Sequence, residues 1–247
     1  MIRMTLAEIA DAVGGTLQLA GADTPETVVA GAVDTDSRAI GDGDIFVAKP
    51  GEATDGHLFV AAAADAGAAL AIVEHTVEVP VSQIVVTDAV EALADLARTV
   101  VARVRDGGAL RIVGITGSNG KTTTKNLLAR ILQSEGETIA PRGSYNNEVG
   151  APLTMLRVDE GTRYLVSEFG ASAPGEIARL AGLVTPDVGV VLMVGLAHAG
   201  GFGGVEATQK AKTELVEAIR PGGVAVLNAD DPRVVAMAQA AAERGAA

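Results

Sequence analysis

The stretch RIVGITGSNGKTTTKNLL, Arg111 to Leu128, decides the fold. An apolar run ends in a glycine-rich turn, passes through Gly-Lys-Thr and continues with helical periodicity, the order of a strand, a phosphate-binding loop and a helix. In such a loop glycines let backbone amides turn toward phosphate oxygens, a lysine reaches the outer ones, and the next hydroxyl can ligate magnesium. Here the turn is Gly117, Ser118, Asn119 and Gly120, the lysine is Lys121 and the hydroxyl is Thr122. The spacing departs from the general pattern, because five residues rather than four separate Gly114 from Gly120 and position 115 is Ile. A glycine turn with an incidental lysine is the plainer alternative; the flanking strand and helix favour nucleotide.

Downstream, strands and helices alternate: strands at 163–168, 188–193 and 223–228, helices at 122–135, 174–181 and 208–219, and a last helix from Pro232. That alternation predicts a mostly parallel, doubly wound α/β sheet. Upstream, Thr5 and Glu8 in TLAEIADAVGG form a capping box for a helix that stops at Gly14–Gly15. Short strands and one helix follow up to SQIVVTD, which makes a small α/β unit. Residues 88–106 are helical by period, and Asp106-Gly107-Gly108 breaks them from the next strand. The expected domains are therefore residues 1–88 and 89–247.

The composition bounds the rest. A formal charge of −12 excludes a broad nucleic-acid surface, so an anionic ligand must be held by local amides, lysine and metal. Apolar runs near residues 61–69 and 185–198 are interrupted by Asp or Gly well short of a membrane span. The N-terminus lacks the continuous apolar core of a signal peptide. With no cysteine there is neither disulfide nor thiol catalysis, which fits a cytoplasmic protein.

Several other residues sit where ligands lie in open parallel sheets, at strand ends. Glu168 closes one predicted strand, where a carboxylate suits magnesium or is simply solvated. His198 follows another strand onto a glycine-rich loop and could meet a metal or a phosphate, or be structural. Asn146 and Asn147 precede an apolar segment and could cap a helix. Lys210 and Lys212 read as ordinary solvated charge on a helix.

Taken in order, GITGSNGKTTTK, YNNEVGAPLTML, EFGASAPGEI, GLAHAGGF and AKTEL resemble the Mur ligases of peptidoglycan synthesis. DTDSRAIGDGDIFVAKPGEATDGHLFV is similar to that family's UDP-sugar-binding domain, so the likeness covers nearly the whole chain. NNEVGAPLTML with EFGASAPGEI looks most like the branch that joins D-alanyl-D-alanine to UDP-N-acetylmuramoyl-tripeptide. The resemblance implies an ATP- and Mg2+-dependent amide ligase, acting through an acyl phosphate as a cytoplasmic monomer. Another Mur-type ligase, or a catalytically silent nucleotide or UDP-sugar binding fragment, is the alternative.

Residue by residue, the resemblance implies that Lys121 and the segment Gly117 to Thr123 hold ATP, with Asn146 and Asn147 near nucleotide and substrate. Thr122 and Glu168 match ligands of a first magnesium, His198 matches a histidine associated with a second, and Lys212 matches a lysine that becomes carbamylated. Lys121, His198 and Lys212 are thus the implied catalytic set. Ser37 and Arg38, with Lys49, Gly51, Asp55, Gly56 and His57, match the UDP-sugar site. Asn228 and Asp230 follow a later strand end near the nucleotide. Met193 stands where the family pattern implies asparagine. Further central strands and a third domain are expected beyond Ala247, so the chain reads as an N-terminal portion with an incomplete central domain.

Overall fold

In the computed structural model, residues 1–51, 54–195 and 204–247 are described. They form two compact units, Met1–Val101 with Leu156–Asp159, and Ala102–Met155 with Glu160–Ala247.

The first unit opens with β1 (Met4–Thr5) and α1 (Leu6–Val13). The Thr5 hydroxyl accepts from the Glu8 amide at 3.1 Å and the Glu8 carboxylate from the Thr5 amide at 2.8 Å, the capping box expected from sequence. Then come β2 (Thr16–Gln18), β3 (Val28–Val29), β4 (Val33–Asp34), β5 (Ile45–Val47), α2 (Val60–Asp65), β6 (Leu70–Val73) and β7 (Gln83–Val85). The long helix α3 (Ala89–Asp106) contains the point of division after Val101. Five strands form one sheet in the order β2-β7-β6-β5-β4, parallel except for β2 against β7. β5 and β6 are buried along their whole length, as unbroken apolar runs covered on both faces should be. Phe46, Val60, Ala63, Ala71 and Val73 pack in that core.

The second unit begins with β8 (Arg111–Thr116), α4 (Lys121–Leu132), β9 (Thr138–Ile139), α5 (Gly150–Met155) and β10 (Tyr164–Glu168). It continues through α6 (Glu176–Gly182), β11 (Val188–Val191), α7 (Val205–Glu217), β12 (Val224–Leu227), α8 (Pro232–Val235) and α9 (Ala238–Glu243). The sheet order is β12-β11-β8-β10-β9 and every pairing is parallel, as the alternation predicts. β9 escapes sequence reading because it is only two residues long. The helix expected from Pro232 is broken after Val235 and resumes at Ala238.

Asp187, at the foot of β11, fixes the opposite end of this sheet from the phosphate loop. Its buried carboxylate accepts from the Ile112 amide at 2.7 Å and from Arg105 at 3.0 Å, and pairs with Arg220 at 2.6 Å. β10 and β11 flank β8 on either side, so the strand order reverses about β8. Ligands of open α/β sheets bind at the carboxyl end of such a reversal, and there the chain leaves β8 for residues 117–120.

Candidate functional site

The loop after β8 is held before any ligand arrives. The Ser118 amide donates to the Met193 carbonyl at 2.9 Å, and the Ser118 hydroxyl accepts from the Gly195 amide at 2.9 Å. The Asn119 side-chain amide meets the Met193 sulfur at 3.8 Å. Met193 thus anchors the loop through its backbone and touches Asn119 through its thioether. Gly120 has φ +82°, a left-handed conformation that glycine adopts without strain, and it directs the chain into α4. Among the described residues no side chain caps α4, so its first amides are open to an anion. The Lys121 ammonium donates back to the Gly117 carbonyl at 2.9 Å. A phosphate would compete with that carbonyl for the lysine.

Glu168, at the end of β10, is 1% exposed. Its Oε1 accepts from the Thr122 hydroxyl at 3.3 Å and from the Asn146 amide at 2.9 Å. Its Oε2 is buried with no hydrogen-bond partner among the described residues. An orphaned carboxylate oxygen beside a threonine hydroxyl is a hard-oxygen donor set suited to Mg2+, so these residues fit that ion. The two asparagines divide their tasks: Asn146 orients Glu168, while Asn147 caps α5 by accepting from the Gly150 amide at 2.9 Å. The capping role open at the sequence level therefore belongs to Asn147 alone.

A cavity of about 650 Å3 lies against this loop, lined among others by Gly117, Lys121, Asn146, Gly170, Thr208 and Lys212. Lys212 is not solvated charge: it is 5% exposed on α7. Burial, and secondarily the Lys121 charge, lower its ammonium from 10.5 to about 8. Ser118 and Asn147 also line the cavity, whereas Asn119, Gly120, Thr122, Thr123 and Glu168 do not border it. Asn228 instead donates to the Leu192 carbonyl at 2.8 Å and accepts from the Asp230 amide at 3.0 Å, a loop brace. His198 lies outside the described residues.

Sequence reasoning missed three participants. Glu176 and Arg179 of α6 line the cavity wall. Glu214, two residues after Lys212, caps α6 from the neighbouring helix by accepting from the Gly175 amide at 2.7 Å and the Ala178 amide at 3.0 Å. The acidic residue in AKTEL was visible in sequence, but its partners lie some 36 to 39 positions away.

In the first unit, the predicted sugar-site residues lie on loops after the neighbouring parallel strands β4 and β5. Arg38 is exposed and forks onto Asp36, with Nε to Oδ1 at 2.8 Å and a terminal nitrogen to Oδ2 at 2.7 Å. Lys49 and Gly56 close the second loop through a 3.0 Å amide-to-carbonyl bond. A Cβ on Gly56 would lie 2.5 Å from the Lys49 carbonyl oxygen, so glycine is required there. His57 is buried, bonded to Asp55 through Nδ1 at 2.6 Å, and accepts from the Glu74 amide through Nε2 at 2.8 Å. Asp55, His57 and His75 come close enough to suggest a metal centre, yet both His57 ring nitrogens are already engaged. The cluster is a loop anchor.

The fold and the cavity define a P-loop α/β protein in which the Thr122 hydroxyl and the Glu168 carboxylate offer oxygens that fit a divalent cation. Residues 115–246 match the Mur ligase middle domain, and residues 31–104 match the family described as Mur ligase family, catalytic domain. The chain belongs to the Mur ligase family. The UDP-N-acetylmuramoyl-tripeptide–D-alanyl-D-alanine ligase of Mycobacterium leprae is 44% identical, over 99% of this chain and 51% of the relative. The Escherichia coli protein of the same name is 37% identical, over 94% of this chain and 49% of its own length. A crystal structure of MurF from Acinetobacter baumannii superposes with a TM-score of 0.87 at 35% identity, covering 98% of this chain and 52% of that one. MurF ligase from Thermotoga maritima in complex with ADP gives a TM-score of 0.74 at 34% identity, over 87% of this chain and 48% of that one. The chain spans about half the length of the curated relatives it matches.

Proposed function

We propose that this chain carries the UDP-sugar and ATP sites of a ligase that joins D-alanyl-D-alanine to UDP-N-acetylmuramoyl-tripeptide in the cytoplasm. The observation that carries the reading is the convergence of Lys121, the orphaned Glu168 oxygen and buried Lys212 around one phosphate loop. The names of the relatives and the ADP complex of one neighbour support the choice of substrates.

In the proposed reaction a terminal carboxylate oxygen of the tripeptide attacks the γ-phosphorus of ATP, and ADP leaves. The amine of D-alanyl-D-alanine then attacks the acyl carbon, phosphate leaves, and the nitrogen loses a proton. Lys121 and the α4 amides would neutralise charge on the transferring phosphoryl, where positioning and electrostatics dominate. Thr122 and Glu168 would hold Mg2+, which supplies charge neutralisation at the phosphates. Lys212, with a pKa of about 8, keeps a larger neutral-amine fraction at pH 7 than a free lysine. Its amine is thus suited to bond the carbon of CO2, releasing one proton and leaving a carbamate oxygen ligand. His198 would serve a second ion. Residues 1–88, through Ser37, Arg38 and the Lys49–His57 loop, are proposed to hold the UDP sugar.

Isothermal titration of this chain with MgATP should show binding that Lys121→Ala removes without unfolding the chain, because a half-buried lysine at the first position of α4 adds little to the core. Undiminished affinity in a folded variant would count against the phosphate loop. Mass spectrometry for the pentapeptide should detect no product from the 247 residues alone, since the relatives bearing the ligase name are about twice as long.

A further inference from the structure

Lys125 is among the largest fully buried side chains of the protein, at 1% exposure. It stands four residues after Lys121 on α4, one turn along the same helix face. No carboxylate pairs with it among the described residues. Its ammonium donates instead to the Pro141 carbonyl at 2.8 Å and the Gly143 carbonyl at 3.0 Å. A buried cation is costly unless hydrogen-bonded, so a lysine held only by two carbonyls needs a reason. Those carbonyls begin the segment that delivers Asn146 to Glu168 and Asn147 to α5. The same segment is tied further along by the Gly170 amide, which donates to the Asn146 carbonyl at 3.1 Å. Lys125 thus fastens the start of this segment to the helix carrying Lys121 and Thr122.

We propose that Lys125 is a positioning residue: it holds the 141–147 segment against α4 so that Asn146 keeps Glu168 Oε1 occupied and leaves Oε2 for the divalent cation of the nucleotide. The chemistry at that cation rests on the function proposed above; the mechanical link does not. Lys125 has no part as a phosphate ligand, because it is shut from solvent and committed to two carbonyls.

The test uses this chain, with Lys125→Met, Lys125→Gln, Asn146→Ala and the double variant Lys125→Met with Asn146→Ala. Without any nucleotide, hydrogen exchange at the Gly170 and Gly150 amides should quicken in the Lys125 variants while the β8 and β10 amides keep their protection. With ADP as probe, the Mg2+ concentration for half-maximal binding should rise about 10-fold in Lys125→Met and in Asn146→Ala, the scale of losing a partner that orients a metal ligand. The double variant should be no worse than either single one, since both act through one link. In the two Lys125 variants, affinity for ADP in EDTA should stay unchanged, which a general loosening of the phosphate loop would not allow. Unchanged exchange at Gly170, or additive effects in the double variant, would overturn the proposal, as would failure of both Lys125 variants to fold. If wild-type chain binds no ADP, the nucleotide reading fails, while the exchange result still decides the link.

Discussion

Lys212 shows how little a residue's type says about its state. In sequence it is one of two lysines on a charged helix; in the fold it is buried beside Lys121 with its pKa lowered to about 8. Between about pH 8 and the unfolded value near 10.5, the native chain binds fewer protons than the unfolded chain. The destabilising contribution of Lys212 is therefore complete below pH 8 and fades as pH rises through that window. Lys212→Met should raise stability at pH 7 by about 1–3 kcal/mol, and the gain should shrink toward zero by pH 10.5. Urea unfolding at both pH values measures this, and an equal gain at both would contradict the burial argument. Glu168 and Asn146 were legible as polar residues at a strand end and before a helix. Their bond to each other was not, because it joins positions 22 residues apart.

At the scale of elements, the phosphate-loop unit reads well from sequence wherever apolar period and turn residues agree. β8 runs Arg111–Thr116 as expected, and α4 starts one residue early, at Lys121, because left-handed Gly120 ends the loop. What escaped are devices that one element supplies to another. α6 has no side-chain cap of its own, and its N-terminus is closed by Glu214 from α7. A carboxylate there also meets the positive end of the helix dipole. Glu214→Ala should lower stability by about 1 kcal/mol, the usual loss of an N-cap. It should also speed hydrogen exchange at Gly175 and Ala178 before any amide of β10. If those two amides keep their protection, the cap is not what holds the cavity wall.

For the whole molecule, the sequence leads one to expect two α/β units meeting at residue 88, whereas the compact units divide after Val101, inside α3; the roles of the units depend on loops. The residues expected to hold the UDP sugar and those expected to hold the nucleotide fall in different stretches of the chain. Their present bonding was not legible: Arg38, matched by resemblance to the UDP-sugar site, is forked onto Asp36, and that hydrogen bonding lowers the Asp36 carboxyl to about 2. A diphosphate offers the same bidentate match and would have to displace Asp36. In the proposed assignment the UDP moiety draws on loops of the first unit and MgATP on residues of the second. UDP-N-acetylmuramoyl-tripeptide should perturb backbone NMR signals within residues 1–88, Arg38 foremost, and Arg38→Ala should weaken its binding. MgATP should perturb residues 114–123, 146–148 and 168–170 and leave Arg38 unmoved. Asp36→Asn, which gives up the charge competing for Arg38, should tighten the UDP sugar and leave MgATP affinity as it was. UDP-sugar binding that ignores both Arg38→Ala and Asp36→Asn would remove this loop from the sugar site and leave the phosphate loop's assignment standing.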